Sequence, residues 1–281
     1  MLRYGHGMFV AEQTPPRLRA DFSPVAALLA DKARAAMLSA LLDGSVLAAG
    51  ELSKVAGVSA ATASAHLSRL LEGGMVRVTR QGRHRYYQLA GHEIAEVIEV
   101  LSQISPAQPV RSLRESREAA ALAEARTCYD HLAGRAGVAL LDSLLSSGLL
   151  AADGEVRPAA MPATGLAVVG PLAFEVTAAG ALTLGSFGVD VAAARRSRRR
   201  FAGACLDWTQ RRPHLNGALG AAITARLFDL DWITRGPGKR GVRITPAGQD
   251  GLASTFGLTS AEPEQRDSEA ALAGASAFQA S

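Results

Sequence analysis

The chain has 281 residues, 48% of them hydrophobic and 20% charged, with a formal net charge of +4. That length and balance allow two domains, each with its own core, and exclude a wholly disordered chain, while the mild positive charge permits a polyanionic partner without demanding one. Two cysteines, Cys128 and Cys205, exclude a disulfide framework, and no apolar run reaches the roughly 20 residues of a membrane span. The first twenty residues lack the apolar segment of a secretory signal, so a cytoplasmic protein with reduced thiols is expected.

In chain order, residues 1–20 read as a flexible arm. "PVAALLADKARAAMLSALLDG" places Leu28, Leu29, Met37, Leu38, Leu41 and Leu42 at helical spacing and stops at Gly44. "AAGELSKVAG" is a short helix closed by Gly57. "SAATASAHLSRLLEGG" is a longer one, capped by Ser59 and ended by Gly73 and Gly74. "MVRVTRQGRHRYYQLA" changes period and reads as a β-hairpin turning at Gly82. "HEIAEVIEVLSQI" returns to a helix with Ile94, Val97, Ile98, Val100 and Leu101 on an apolar stripe. "SPAQPVRS" then breaks the pattern, which predicts a domain over 21–104 and a linker over 105–116.

Helix, short helix, tight turn, longer helix and hairpin is the order of a winged helix-turn-helix. A helix entering the major groove needs small polar side chains on its outer face, which Thr62, Ser64 and His66 are expected to supply while Leu67, Leu70 and Leu71 face the core. Ser59 and Arg69 flank that face. The hairpin carries Arg77, Arg80, Arg83 and Arg85 with no acidic residue between Val76 and Leu89, a strip suited to phosphates. "LADKARAAMLSALLDG", "ELSKVAGVSAATASAHLSRLLEGGMV" and "RQGRHRYYQLA" resemble the second helix, helix-turn-helix and wing of the ArsR/SmtB family of bacterial repressors, over about residues 22–104. The resemblance implies a homodimer on operator DNA, with an inducer that releases it. It departs from the family at the metal sites. No cysteine occurs in residues 1–127, and "HEIAEVIEVLSQI" supplies His92 and Glu96 but no second histidine after them. Ala60, Ala61 and Ala65 also stand where polar residues are often found on the recognition helix.

The second half repeats itself. "HLAGRAGVALLDSLLSSGLL" (131–150) aligns without a gap with "HLNGALGAAITARLFDLDWI" (214–233), each preceded by Cys-x-Asp and followed by a threonine–glycine turn. This predicts one winged-helix-like unit used twice, repeat 1 over about 117–191 and repeat 2 over about 192–258, in an effector or assembly domain at 117–258. Residues 259–281 read as a disordered tail. The expected fold class is mainly α with small β-hairpins.

"RTCYDHLAG" opens repeat 1. Read as a helix, it puts Cys128 and His131 on one face and leaves Asp130 to pair with Arg126. The glycines after His131 and His214 would let another helix approach closely. Two readings stay open. The motif is either packing repeated because the fold is repeated, or an effector site. In the second case the two copies face each other across a pseudo-twofold axis and gather Cys128, Asp130, His131, Cys205, Asp207 and His214 into a metal site or a redox-active thiol pair. The basic stretch "RRSRRRFAGACLDWTQRRPH" reads as a solvated cation cluster, with DNA phosphates or an anionic effector as alternatives. No P-loop, HExxH or GxSxG motif is present. The expected function is therefore a sequence-specific DNA-binding regulator. A protein-interaction module built on winged helices is the alternative, and a thiol-dependent enzyme is a minor one.

Overall fold

The computed structural model describes residues 21–105, 112–153, 173–236 and 240–258. The expected arm, most of the linker and the expected tail lie outside the described residues.

The amino-terminal domain runs α1 (Ser23–Leu29), α2 (Lys32–Ala40), β1 (Leu47–Ala48), α3 (Ala49–Ala56), α4 (Ala60–Glu72), β2 (Val76–Gln81), β3 (His84–Leu89) and α5 (His92–Ile104). The single helix expected up to Gly44 is two helices. Asp31 leaves the helical conformation and accepts the Arg34 N–H at 2.9 Å, so it caps α2 and ends the continuity. Ser59 caps α4 by accepting the Thr62 N–H at 3.2 Å, and Gly57 closes α3 at φ +65°. The strands pair antiparallel in the order β1-β3-β2, with Val76 opposite Leu89 and Gln81 opposite His84. Met37, Leu38, Leu41, Leu52, Leu67, Leu70 and Leu89 fill the core, and Ile98 of α5 closes it.

After α6 (Leu113–Glu124), which takes in the last four residues of the expected linker, come β4 (Arg126–Cys128), β5 (His131–Ala133), α7 (Gly134–Ser146), β6 (Leu150–Asp153), β7 (Ala173–Val176) and α8 (Ala178–Phe187). The second copy follows as α9 (Val191–Arg196), β8 (Gly203–Leu206), β9 (Pro213–Asn216), α10 (Gly217–Asp229), β10 (Ile233–Arg235), β11 (Val242–Ile244) and α11 (Pro246–Phe256). Each copy is thus helix, hairpin, helix, hairpin, helix, with one hairpin more than the sequence pattern predicts.

The two copies do not fold side by side as independent units. The second hairpin of copy 1 joins the first hairpin of copy 2 in a sheet ordered β6-β7-β8-β9, linked by Ala173 opposite Gly203. Reciprocally, the first hairpin of copy 1 borders the second of copy 2 through Arg126 and Gly241, with the Val242 N–H donating to the Ala125 carbonyl at 2.9 Å. Leu141, Leu144, Phe174 and Leu184 of copy 1 share one core with Leu219, Ile223, Leu227 and Phe256 of copy 2. Each such side chain is worth roughly 1.5–3 kcal/mol when fully buried. Splitting the core would forfeit that gain on both sides, so the repeats fold together.

Candidate functional site

Two sets of residues carry chemistry, one on the surface of the amino-terminal domain and one inside the carboxy-terminal domain. On α4 the buried stripe is Ala63, Leu67 and Leu70. Ser59, Thr62, Ser64 and Arg69 are exposed, although the Ser59 hydroxyl is occupied in capping and lies 2.9 Å from the Thr62 hydroxyl. His66 is placed differently from the sequence expectation. It lies only about 60° around the helix from the buried stripe, since successive residues turn by about 100°. Its Nδ1 sits 3.7 Å from Asp31 and 3.4 Å from Arg34, facing α2. Leu71, expected in the core, is exposed on the other flank.

In the wing, Arg77, Arg80, Arg83 and Arg85 are all exposed, and among the described residues none has a carboxylate partner. Arg80 stands directly opposite Arg85. Like charges in that register repel by a few tenths of a kcal/mol or more, a cost that a phosphate between them would reverse. The basic stretch of the second half is different, because several of its arginines are already paired. Arg195 binds Glu175 at 2.6 Å, Arg212 binds Asp142 at 2.8 Å, and Arg199 binds Asp130.

The "RTCYDHLAG" segment is a hairpin, not a helix. Its strands are only three residues long and buried throughout, so they show no alternation to read. Tyr129 takes the turn at φ +59°, and Cys128 and His131 become cross-strand partners instead of neighbours on a helical face. Cys205 and His214 are partners in the same way, although a longer loop joins β8 to β9. The Arg126–Asp130 pair does not form. Arg126 binds Asp207 of the other copy at 3.0 Å, with both side chains fully buried, and its guanidinium lies over Trp208. Asp130 instead takes Arg199, also from the other copy.

These crossed ion pairs bring the two hairpins together. The sulfurs of Cys128 and Cys205 are 4.0 Å apart, and the rings of His131 and His214 stack with centroids 5.2 Å apart. One donor atom from each of the four residues falls within 4.8 Å of all the others. The glycines make room for this pairing, not for a second helix. A Cβ on Gly137 would meet the Leu132 carbonyl at 2.4 Å and His214 Cβ at 3.5 Å. One on Gly220 would meet the Leu215 carbonyl at 2.6 Å and His131 Cβ at 3.3 Å.

Electrostatics separate the two histidines. Burial opposes the charge on His131, but the Cys128 sulfur and the Asp130 carboxylate outweigh it and lift the imidazole to about 9. Burial and the neighbouring His131 push His214 well below its ordinary value. Burial works against the charge of Asp130, yet His131 and Arg199 hold it down to about 2. The Cys128 thiol is pushed well up by its hydrogen bond to Cys205 and by burial. His131 Nε2 and both ring nitrogens of His214 are buried without a hydrogen-bond partner. The described residues therefore contain a buried Cys/His cluster with the donor set to bind a metal ion.

The cluster abuts the last helix of the amino-terminal domain. Asn216 donates to Glu96 at 3.1 Å. Arg240 binds the buried Glu99 and also donates to the Thr127 carbonyl at 3.1 Å, next to Cys128. Tyr129 packs against the amino-terminal core. None of these contacts was visible in the sequence, because each joins residues more than 80 positions apart or depends on a turn that reads as helix.

Residues 29–79 match the protein family described as "Helix-turn-helix domain". The chain is 41% identical over 229 residues to a Bacillus subtilis (strain 168) protein named "Uncharacterized HTH-type transcriptional regulator YdfF", covering 82% of this chain and 94% of that one. The chain belongs to the HTH-type transcriptional regulators. It is a DNA-binding transcriptional regulator. An alignment of 229 residues cannot fit within the amino-terminal domain, so the likeness of this regulator to its relative extends into the carboxy-terminal domain. Among solved structures, NolR from Sinorhizobium fredii is 26% identical, covers 31% of this chain and 85% of its own, and has a TM-score of 0.28. The transcriptional repressor BigR from Xylella fastidiosa is 26% identical, with 31% and 87% covered and a TM-score of 0.28. Among the described residues no helix is long and apolar enough to cross a membrane.

Proposed function

We propose that this regulator is a cytoplasmic homodimeric repressor, released from operator DNA when its carboxy-terminal domain takes up an effector. The observation that carries the reading is the wing. Four exposed arginines without carboxylate partners, two of them directly opposed, lie beside the exposed polar flank of α4. Thr62, Ser64 and Arg69 address base edges and their flanking phosphates. Arg80, Arg83 and Arg85 take the backbone, and Ser59 holds the start of the recognition helix in place. His66 enters the groove only by leaving Asp31 and Arg34.

The dimer is supported by α5, where Val97, Val100, Leu101 and Ile104 are exposed on one side while Ile98 faces the core. A row of four large apolar side chains on one helix is a surface that a second copy would cover. The effector reading rests on Glu96 and Glu99 of that helix, which bind Asn216 beside His214 and Arg240 beside Thr127, and on Tyr129, which packs against the amino-terminal core. A ligand that favours one arrangement of these contacts would bias the dimer between DNA-competent and incompetent states. In this reading the protein works by binding and not by catalysis.

The test is fluorescence anisotropy on the DNA upstream of the protein's own gene, against a scrambled duplex at one near-physiological salt concentration. Binding at least about a hundredfold tighter to the first is expected. Equal, weak binding to this DNA and to a tiled set of neighbouring promoters would favour a winged-helix module that meets other proteins.

A further inference from the structure

We infer that Cys128, His131, Cys205 and His214 form a closed tetrahedral site for a single thiophilic divalent ion of the zinc class, built across the pseudo-twofold axis of the carboxy-terminal domain with two ligands from each repeat. Nothing in the amino-terminal helices contributes to it, so it is distinct from any site that a winged helix-turn-helix alone can offer. Its regulatory meaning rests on the effector reading above, whereas its binding chemistry does not.

The argument begins with the donor set. Two sulfurs and two imidazole nitrogens, with no carboxylate among them, suit a borderline or soft ion and exclude calcium and magnesium as natural occupants. Zinc–sulfur bonds of about 2.3 Å and zinc–nitrogen bonds of about 2.0–2.1 Å imply donor separations in a tetrahedron of about 3.4–3.8 Å. The two sulfurs are already 4.0 Å apart, and all four donors lie within 4.8 Å. Closing on an ion therefore needs side-chain shifts of about an ångström, with no strand displaced.

The second observation is independent of that spacing. His131 Nε2 and His214 Nε2 are buried with no hydrogen-bond partner, and both belong to the four residues whose donor atoms converge. Orphaned nitrogens on both members of a symmetry-related pair need an explanation, and a shared ligand supplies one. A third observation is the outer shell. Asp130 Oδ1 lies 3.4 Å from His131 Nδ1, and Asp207 Oδ2 lies 3.8 Å from His214 Nδ1. The Asp130 carboxylate fixes which His131 nitrogen faces the ion and raises its basicity, the usual support of a metal-binding histidine, whereas Asp207 stands near His214 beyond hydrogen-bond reach. Asp207 is itself held by Arg126 and by the Gly134 N–H at 2.6 Å, so repeat 2 anchors its histidine partly through repeat 1.

The charge balance also closes. Binding a divalent ion displaces the two thiol protons and the proton that His131 carries at neutral pH, and the ion with two thiolates and two neutral imidazoles carries no net charge into the buried site. With four protein ligands no position is left for water, which makes the site structural or regulatory and not catalytic.

The experiment uses the full chain, purified under reductant, freed of metal by a chelator and titrated with Co²⁺ in the absence of DNA. We expect one equivalent to bind with the visible bands of tetrahedral cobalt and thiolate-to-metal charge transfer, to be displaced by Zn²⁺, and to give one zinc per chain by native mass spectrometry. Cys205→Ser is expected to weaken zinc binding at least a hundredfold, and Asp130→Asn about tenfold through His131 alone. Should the variants fold poorly, zinc protection of the wild-type Cys128 and Cys205 against alkylation gives the same answer. An octahedral cobalt spectrum, a stoichiometry unmoved by Cys205→Ser, or two thiols that stay equally reactive with zinc present overturns the site. Cobalt binding as expected with no effect of zinc on operator affinity keeps the site and overturns the effector reading. Operator binding without any metal uptake does the reverse.

Discussion

Arg126→Met tests the link between the two repeats. Arg126 and Asp207 have no exposed surface, and they join copies separated by 81 positions at 3.0–3.3 Å. Methionine keeps much of the volume but leaves a buried carboxylate without its counter-charge. Removing one partner of such a pair typically costs about 3–5 kcal/mol. Asp207 retains the N–H groups of Gly134, Thr209 and Gln210 and the Thr209 hydroxyl, so the lower end, about 3 kcal/mol, is expected. For a domain of this size about 1 kcal/mol shifts Tm by roughly 2–4 °C, so a loss of about 6–12 °C should appear in circular-dichroism melts at pH 7 with chelator present. Adding Asp207→Asn removes the stranded charge and should recover part of the loss. The pH dependence has a definite sign. Burial opposes the Asp207 carboxylate, but Arg126 and the donors around it hold its pKa in the folded protein below the usual value. The stability this gives is present above about pH 4 and is lost from the wild type as pH falls further. The gap between wild type and Arg126→Met should therefore narrow in acid. A melt unchanged within about 2 °C, or a double variant no better than the single, would refute the account.

Arg83→Ala and Arg85→Ala should each weaken operator and scrambled DNA in similar proportion and reduce the salt slope of binding by about 1, measured by anisotropy across a salt series. A selective loss on the operator alone would mean base readout instead. Val100→Glu with Ile104→Glu should leave the Tm of the chain nearly unchanged and shift sedimentation equilibrium toward monomer. An unchanged assembly would remove α5 from the interface. Gly220→Ala drives a Cβ into the Leu215 carbonyl and against His131, and overpacking of this kind costs about 1–3 kcal/mol, readable in urea melts. A neutral substitution would show that the two hairpins have slack between them.

The winged helix-turn-helix was legible because its signals are local. Ser59 ahead of α4, Gly57 behind α3 and Gly82 in the wing each act through their own backbone conformation or the next few residues. His66 was misjudged where two constraints compete. Its spacing from Thr62 suits a common face, but that face runs close to the buried stripe, and Asp31 and Arg34 of α2 hold the ring there.

In the second half, the duplication of sequence announced a repeated unit, and the matched Cys-x-Asp and His-Leu phrases named the residues. Their geometry was not legible. Strands of three residues buried on both faces carry no period, so β4 and β5 looked like helix and Cys128 lost its true partner relation to His131. What the sequence by itself determined is the list of groups and the local elements that bear them. Only the tertiary structure decided that the two copies exchange hairpins and cross their ion pairs. That outcome depends on strand pairing and charge burial between residues 30 to 115 positions apart, where no short-range preference acts.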